Sequence, residues 1–206
     1  MSHDRRRQLR MKTGLLIVFE GLDQSGKQTQ AERLKAVVER RGRTSVLLDF
    51  PSYDTAIGKE ISAGLHGERE YGADVMQLLY IANRYEKKPQ IERVLGAGGV
   101  VICDRYLASS VAYGEAQGLE GSWLREIQRH LPQPDLTILL DIAPETAAGR
   151  KTTNRDKYER DLALLSRVRE SYRAQAKAAG WLQLNGERAK DDVAADVRAA
   201  LMRLLE

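Results

Sequence analysis

One cysteine, Cys103, stands in 206 residues. That excludes an internal disulfide framework and any zinc site built on cysteines. It lies within the apolar run VVICD, where a thiol packs as a small hydrophobe. No apolar run approaches the ~20 residues needed to cross a bilayer, so no membrane partner is expected. The opening MSHDRRRQLRMKTG has no apolar core of ~7–15 residues such as a secretory leader carries. The composition suits the cytoplasm. Excess charge is also scarce. The formal net charge is +4, and residues 1–12 supply all of it, with Arg5, Arg6, Arg7, Arg10 and Lys12 against Asp4. A short basic end ahead of the first strand reads as a disordered tail. The rest of the chain is formally neutral, so no nucleic-acid partner is expected. Internal repeats and low-complexity segments are absent.

What remains suits one domain over residues 13–206, long enough to bury a sizeable core. Nearly continuous apolar runs mark strands at Leu15 to Glu20, Thr44 to Phe50, Val100 to Arg105 and Leu136 to Ile142, with a short fifth in WLQLNG. Between them apolar residues recur at helical spacing. Ala31, Leu34, Val37 and Val38 mark one helix. A partly helical segment runs through Ile57, Ile61 and Leu65. A longer helix carries Met76, Leu79, Ile81 and Tyr85, with Asp74 as its cap and Pro89 expected to kink or divide it. Helical pieces follow from Tyr106 and from Ser122 to His130, and a short one opens at Pro144-Glu145. A long helix then shows Tyr158, Leu162, Leu165, Val168 and Tyr172, and a last one Val193, Val197, Leu201 and Leu204. The alternation predicts an α/β, three-layer fold: a five-stranded parallel sheet with helices on both faces. Ligands of such sheets sit beyond the carboxyl ends of the strands.

The first of those ends carries LLIVFEGLDQSGKQT, Leu15 to Thr29. It fits strand, G-x-x-x-x-G-K, helix, the phosphate-binding loop of P-loop NTPases. Glycines let backbone N–H groups turn inward on a phosphate, and the next helix adds its unpaired N–H groups and positive dipole end. The residues expected on ATP are Gly21, Leu22, Asp23, Gln24, Ser25, Gly26, Lys27, Gln28 and Thr29, with Lys27 reaching the β- and γ-phosphates. Gln28 stands where the pattern wants a Ser or Thr for Mg²⁺, and Thr29 comes one residue late.

Other strand ends add chemistry. Asp104 closes an apolar strand as a Walker B acid does, where it can hold Mg²⁺ directly or through water. The planar fork of Arg105 suits a phosphate. The stretch RKTTNRDKYER, Arg150 to Arg160, is rich in cations and sits where a lid over phosphates would sit, over about residues 150–157. Tyr80 and Arg84, one helical turn apart, share a face on which a base can stack and be hydrogen-bonded.

FEGLDQSGKQTQ, FPSYDTAIGK, LLYIANRYEK, DRYLASSVAYG and DKYERD occur in the order and spacing of the thymidylate kinases, and over residues 15 to about 161 the chain resembles that family. The resemblance implies transfer of the γ-phosphoryl of Mg·ATP to the 5′-phosphate of dTMP, giving dTDP and ADP, by a homodimer. It implies that Asp23 faces the dTMP sugar and phosphate and that Arg105 grips that phosphate. It also implies that Tyr80 stacks on thymine, that Arg84 hydrogen-bonds it, and that Phe50 lines the pocket with Ser109, Ser110 and Tyr113 nearby. The resemblance further implies that Tyr113 crowds the 2′ position, that Tyr53 and Tyr158 also line the dTMP site, and that Tyr158 and Glu159 open the helix after the lid.

Three positions depart from the family pattern. Gln28 leaves the metal to Asp104, waters and phosphates, with its own amide oxygen a weak further ligand. Gln24 replaces a loop arginine found in some members, which moves the catalytic cation to the lid, with Arg150, Lys151 and Arg155 as candidates. Tyr53 stands where many members carry an arginine on the acceptor phosphate. The nearest competing activity is a deoxynucleoside kinase acting on a 5′-hydroxyl. It needs a carboxylate at the end of the second strand. Phe50 occupies that place, and Asp49 faces the other side. A GTPase-like switch would carry N-K-x-D, which is missing.

Overall fold

The computed structural model describes residues 14–151, 153, 158 and 160–205. The expected tail at 1–12, Arg155 and Glu159 lie outside these residues, as does most of the expected lid. The described strands are β1 (Leu15–Glu20), β2 (Ser45–Asp49), β3 (Val100–Asp104), β4 (Leu136–Asp141) and β5 (Leu182–Asn185). They form one parallel sheet in the order β2-β3-β1-β4-β5. The described helices are α1 (Lys27–Arg40), α2 (Ala56–His66), α3 (Ala73–Gly96), α4 (Leu107–Ala116), α5 (Gly121–Glu126), α6 (Pro144–Arg150), α7 (Leu162–Ala179) and α8 (Lys190–Leu205). This is the expected three-layer α/β fold.

Period-two alternation divides the central strand between two cores. Leu15, Ile17 and Phe19 join Ala31 and Leu34 of α1 and Val193 and Val197 of α8. Leu16 and Val18 face the other way, with Cys103 and with Ile91 of α3. Alternation puts Glu20 on this second side too, and it is wholly buried. Pairing places Phe19 opposite Asp104 and Glu20 opposite Leu139. The loop after β1 therefore opens at mid-sheet, flanked by the ends of β3 and β4.

Several local expectations change. Helix α3 runs through Pro89 as one helix, because the packing of buried Met76, Ile81 and Ile91 spans the proline on both sides. Its N-cap is Gly72, and Asp74 lies inside the first turn, accepting the Val75 N–H at 2.9 Å. Strand β2 stops at Asp49, and Phe50 continues the ladder only through its N–H on the Asp104 carbonyl at 3.0 Å. The helix from Ser122 ends by Glu126 and continues as turns. Tyr158 does not open α7. Asp161 caps that helix by accepting the Leu164 N–H at 2.9 Å.

Candidate active site

Backbone conformation shapes the loop after β1. Gly21 and Gly26 have φ of 139° and 95°, and Gln24 is left-handed at 61°. A Cβ on Gly21 would lie 2.4 Å from the Leu140 carbonyl oxygen, so only glycine lets the loop pass β4. Gly26 is the N-cap of α1 and offers no side chain to its first N–H groups. Those donors stay open to an anion. Lys27 is buried; its Nζ donates to the Leu22 carbonyl at 2.9 Å and stands 3.9 Å from Asp104 Oδ1. Burial lowers the Lys27 pKa and the Arg105 charge lowers it further, against the pull of Asp104 and Asp23.

A cleft opens over this loop, lined by Asp23 through Gln30, Asp104 and Arg150, with Gly186, Arg188, Ala189, Lys190 and Val193 across from them. Arg150 spans it, donating from Nη1 to the Gln24 carbonyl at 2.8 Å and from Nη2 to the Gly186 carbonyl at 3.2 Å. The Lys151 charge also acts on Asp23. Gln28 is exposed and gives its amide nitrogen to Glu32 Oε1 at 3.1 Å, which turns its side chain along α1. Arg188 and Lys190 escaped the sequence reading because a β5–α8 turn carries no motif.

A second cleft adjoins the first through Asp23. It gathers all ten residues expected on dTMP: Asp23, Phe50, Tyr53, Tyr80, Arg84, Arg105, Ser109, Ser110, Tyr113 and Tyr158. Pro51, Leu65 and Gln77 complete the wall. Tyr53 stands at its rim, half exposed. Arg84 is buried and donates from Nη1 to Ser110 Oγ at 2.7 Å and to Gln128 Oε1 at 3.3 Å. Its Nε and both amide atoms of Gln77 are buried without a partner among the described residues. A native cavity wall rarely keeps such groups unless something else completes them.

Arg105 adopts φ of 65°, a left-handed conformation that costs a non-glycine residue roughly 1–3 kcal/mol. Its surroundings compensate for that strain. Its N–H donates to the Phe19 carbonyl at 2.8 Å, and Nη2 pairs with Asp23 Oδ1 at 2.8 Å. Nη1 donates to the Tyr172 hydroxyl at 3.1 Å and Ser109 Oγ at 3.4 Å, and the guanidinium lies 5.4 Å from the Tyr113 ring centroid. Burial alone would push the Asp23 carboxyl up, but the Arg105 and Lys27 charges hold it well below the usual carboxylate range.

Three further residues support this cleft. Asn83 accepts the Ser52 N–H at 2.7 Å and donates to the Ser52 carbonyl at 3.1 Å, pinning the segment that carries Phe50 and Tyr53 to α3. Glu20 and Tyr172 lie behind Arg105. The sequence reading placed Asn83 only within a motif, Glu20 at a strand end and Tyr172 in a core stripe. A carboxylate closing an apolar strand was the available signal for Glu20.

The sequence and structure have close relatives. Residues 19–197 match the family model for thymidylate kinase. A thymidylate kinase of Arabidopsis thaliana is 34% identical over 189 residues, covering 92% of this chain and 71% of its own. One of Caenorhabditis elegans is 42% identical over 148 residues, 68% of each. The solved thymidylate kinase of Candida albicans superposes with a TM-score of 0.83 at 29% identity, covering 94% of both chains.

Proposed function

This chain belongs to the thymidylate kinase family and phosphorylates dTMP with ATP, and we propose that its two adjoining clefts divide the substrates between them. ATP lies over the loop after β1, with phosphates on the N–H groups of Gly21 to Thr29 and on Lys27. Arg150 stands over the same phosphates, with Lys151 and Arg155 as the further lid cations. dTMP lies in the second cleft, thymine between Tyr80 and Phe50, its edge on Arg84 and Ser110, its 5′-phosphate on Arg105. Tyr113 and Tyr158, with ring centroids 5.9 Å apart, close over the sugar, and Ser109 and Tyr53 complete the wall. The observation that carries this reading is the gathering of every expected acceptor residue into one cleft joined to the phosphate loop through Asp23.

Transfer between two phosphates passes through a loose, in-line transition state, so the protein's work is positioning and charge neutralisation. A phosphate monoester loses its second proton near pH ~6, so the acceptor oxygen attacks without a general base. Asp104 is the residue that would hold a Mg²⁺ ion bound with the nucleotide. Among the described residues no three His, Cys, Asp or Glu side chains form a metal cage. A single carboxylate plus phosphate oxygens and water is the usual Mg²⁺ arrangement in kinases, and Asp104 fits it. When bound, Mg²⁺ neutralises charge between the β- and γ-phosphates.

The 5′-hydroxyl alternative needs a base facing the acceptor. β2 ends on a carboxylate, Asp49, but it is exposed and lines neither cleft, and the buried Phe50 after it is the residue that lines the acceptor cleft. With ATP fixed, ADP release is expected with dTMP and not with thymidine; preference for thymidine would overturn the acceptor assignment. We further propose a homodimer through the face of α3 on which Val75 and Leu78, three residues apart, stand exposed. Sedimentation of the full chain tests that, and a monomer at micromolar concentration would reject it. The single reduced, buried cysteine fits the cytoplasm.

A further inference from the structure

Arg105 is held at two edges. Nη2 faces the cleft, on Asp23 at 2.8 Å and the Tyr113 hydroxyl at 3.4 Å. Nη1 faces the protein, on the hydroxyls of Tyr172 and Ser109, which are 2.8 Å from each other. Behind those hydroxyls sits Glu20, fully buried. Its Oε2 accepts from Ser109 Oγ at 2.6 Å and from the Tyr172 hydroxyl at 3.1 Å, and its Oε1 accepts the Tyr106 N–H at 2.9 Å.

A carboxylate only accepts and a guanidinium only donates, so the hydroxyls between them must pass their protons toward Glu20. Ser109 gives its proton to Glu20. Tyr172 gives its own to Glu20 or to Ser109. Either way the donors run from Arg105 through the hydroxyls to the carboxylate, and the hydroxyl lone pairs point at Nη1. Glu20 acts on the backbone as well. Where Arg105 turns left-handed, the next N–H leaves the sheet ladder, and Oε1 takes it. One carboxylate thus fixes both the backbone after Arg105 and, at one remove, its side chain.

We propose that Glu20 and Tyr172 are positioning residues for the acceptor phosphate: they lock the Nη1 edge of Arg105 so that the Nη2 edge stays presented to dTMP. This rests on the acceptor assignment above. β1, α4, α7 and the turn after β3 each supply one part, so no local motif announces the relay.

The test is steady-state kinetics of the full chain with both substrates varied. Tyr172→Phe removes one hydroxyl and leaves a buried ring of nearly the same volume. It is expected to raise the dTMP KM about tenfold, the scale of one hydrogen bond to a charged group, with the ATP KM changed less than about twofold. In an Arg105→Lys background, where no planar fork remains to be held, the same change should add less than about twofold. Glu20→Gln keeps the size and removes the charge, and should give the same split more strongly. If Glu20→Gln does not fold, Tyr172→Phe decides alone. An unchanged dTMP KM, equal rises in both KM values, or additivity with Arg105→Lys would overturn the relay. If wild type turns over dTMP and Tyr172→Phe matches it, the relay fails and the acceptor assignment stands. If wild type does not turn over dTMP, both fail.

Discussion

The two clefts are built from different materials. The cleft proposed for ATP takes its shape from backbone: Gly21, Gln24 and Gly26 in positive φ, and a helix start without a side-chain cap. The cleft proposed for dTMP takes its shape from side chains of distant elements that hydrogen-bond one another before any ligand arrives, such as Arg84 on Ser110 and Arg105 on Tyr172. A backbone nest recognises any phosphate tail. A preorganised side-chain wall recognises one base and one sugar, because each unmatched polar group in it would stay buried and unpaired. Catalytic generality and substrate choice are therefore separable here, and mutations can show how far.

Lys27→Ala should have the largest effect. Removing the buried cation from the transferring phosphates should lower kcat roughly a hundred- to a thousandfold, the range seen when one preorganised transition-state donor is lost. The dTMP KM should stay within about twofold and the far-UV circular dichroism unchanged. A parallel rise in dTMP KM would show that the clefts are not separable. Arg84→Ala probes the opposite side. It should raise the dTMP KM roughly ten- to a hundredfold and narrow the preference for dTMP over dCMP, with the ATP KM unmoved. Intact preference in that variant would remove Arg84 from base recognition.

The same contrast explains what could be read from the chain alone. The loop after β1 is contiguous, so glycine spacing and a following lysine display it, and the strands display themselves as apolar runs. Arg105, a planar fork at a strand end, and the pair Tyr80 and Arg84, one turn apart, were legible as candidates from residue type and spacing; their joint role with Phe50 on one acceptor was legible only through family resemblance. Glu20, Gln77, Asn83 and Tyr172 were not legible as site residues. Each matches its local pattern, a strand end, a helix face or a core stripe, and only the packing of α3, α4 and α7 against the sheet turns it toward Arg105, Ser52 or the cleft. The expected division at Pro89 has the same origin: there the local rule about proline gave way to tertiary burial on both sides of it.

Asp23 belongs to both clefts, and its effect should depend on pH. Its carboxyl is held below its ordinary value of 3.8, chiefly by Arg105 and Lys27 working against burial. A depressed carboxylate contributes stability that is fully present above the ordinary value and is lost as pH falls toward the folded one. Asp23→Asn should therefore lower Tm most near pH ~7, and the difference from wild type should shrink toward pH ~3. A Tm difference independent of pH would show that Asp23 acts through shape and not through its ion pair with Arg105.

Gln28→Thr should have the smallest effect. The native side chain lies along α1 with its amide nitrogen on Glu32, so its loss costs only an exposed hydrogen bond, about 0.5 kcal/mol or less. Threonine would bring a hydroxyl oxygen to the position from which phosphate-binding loops ordinarily hold Mg²⁺. Because Mg²⁺ keeps most of its shell as water and phosphate oxygen, one added ligand should lower the half-saturating Mg²⁺ only about two- to fivefold, with kcat within about twofold. An unchanged Mg²⁺ titration would place the whole burden on Asp104 and the nucleotide. The ATP cleft would then owe its metal site, like its shape, to groups other than the side chain at position 28.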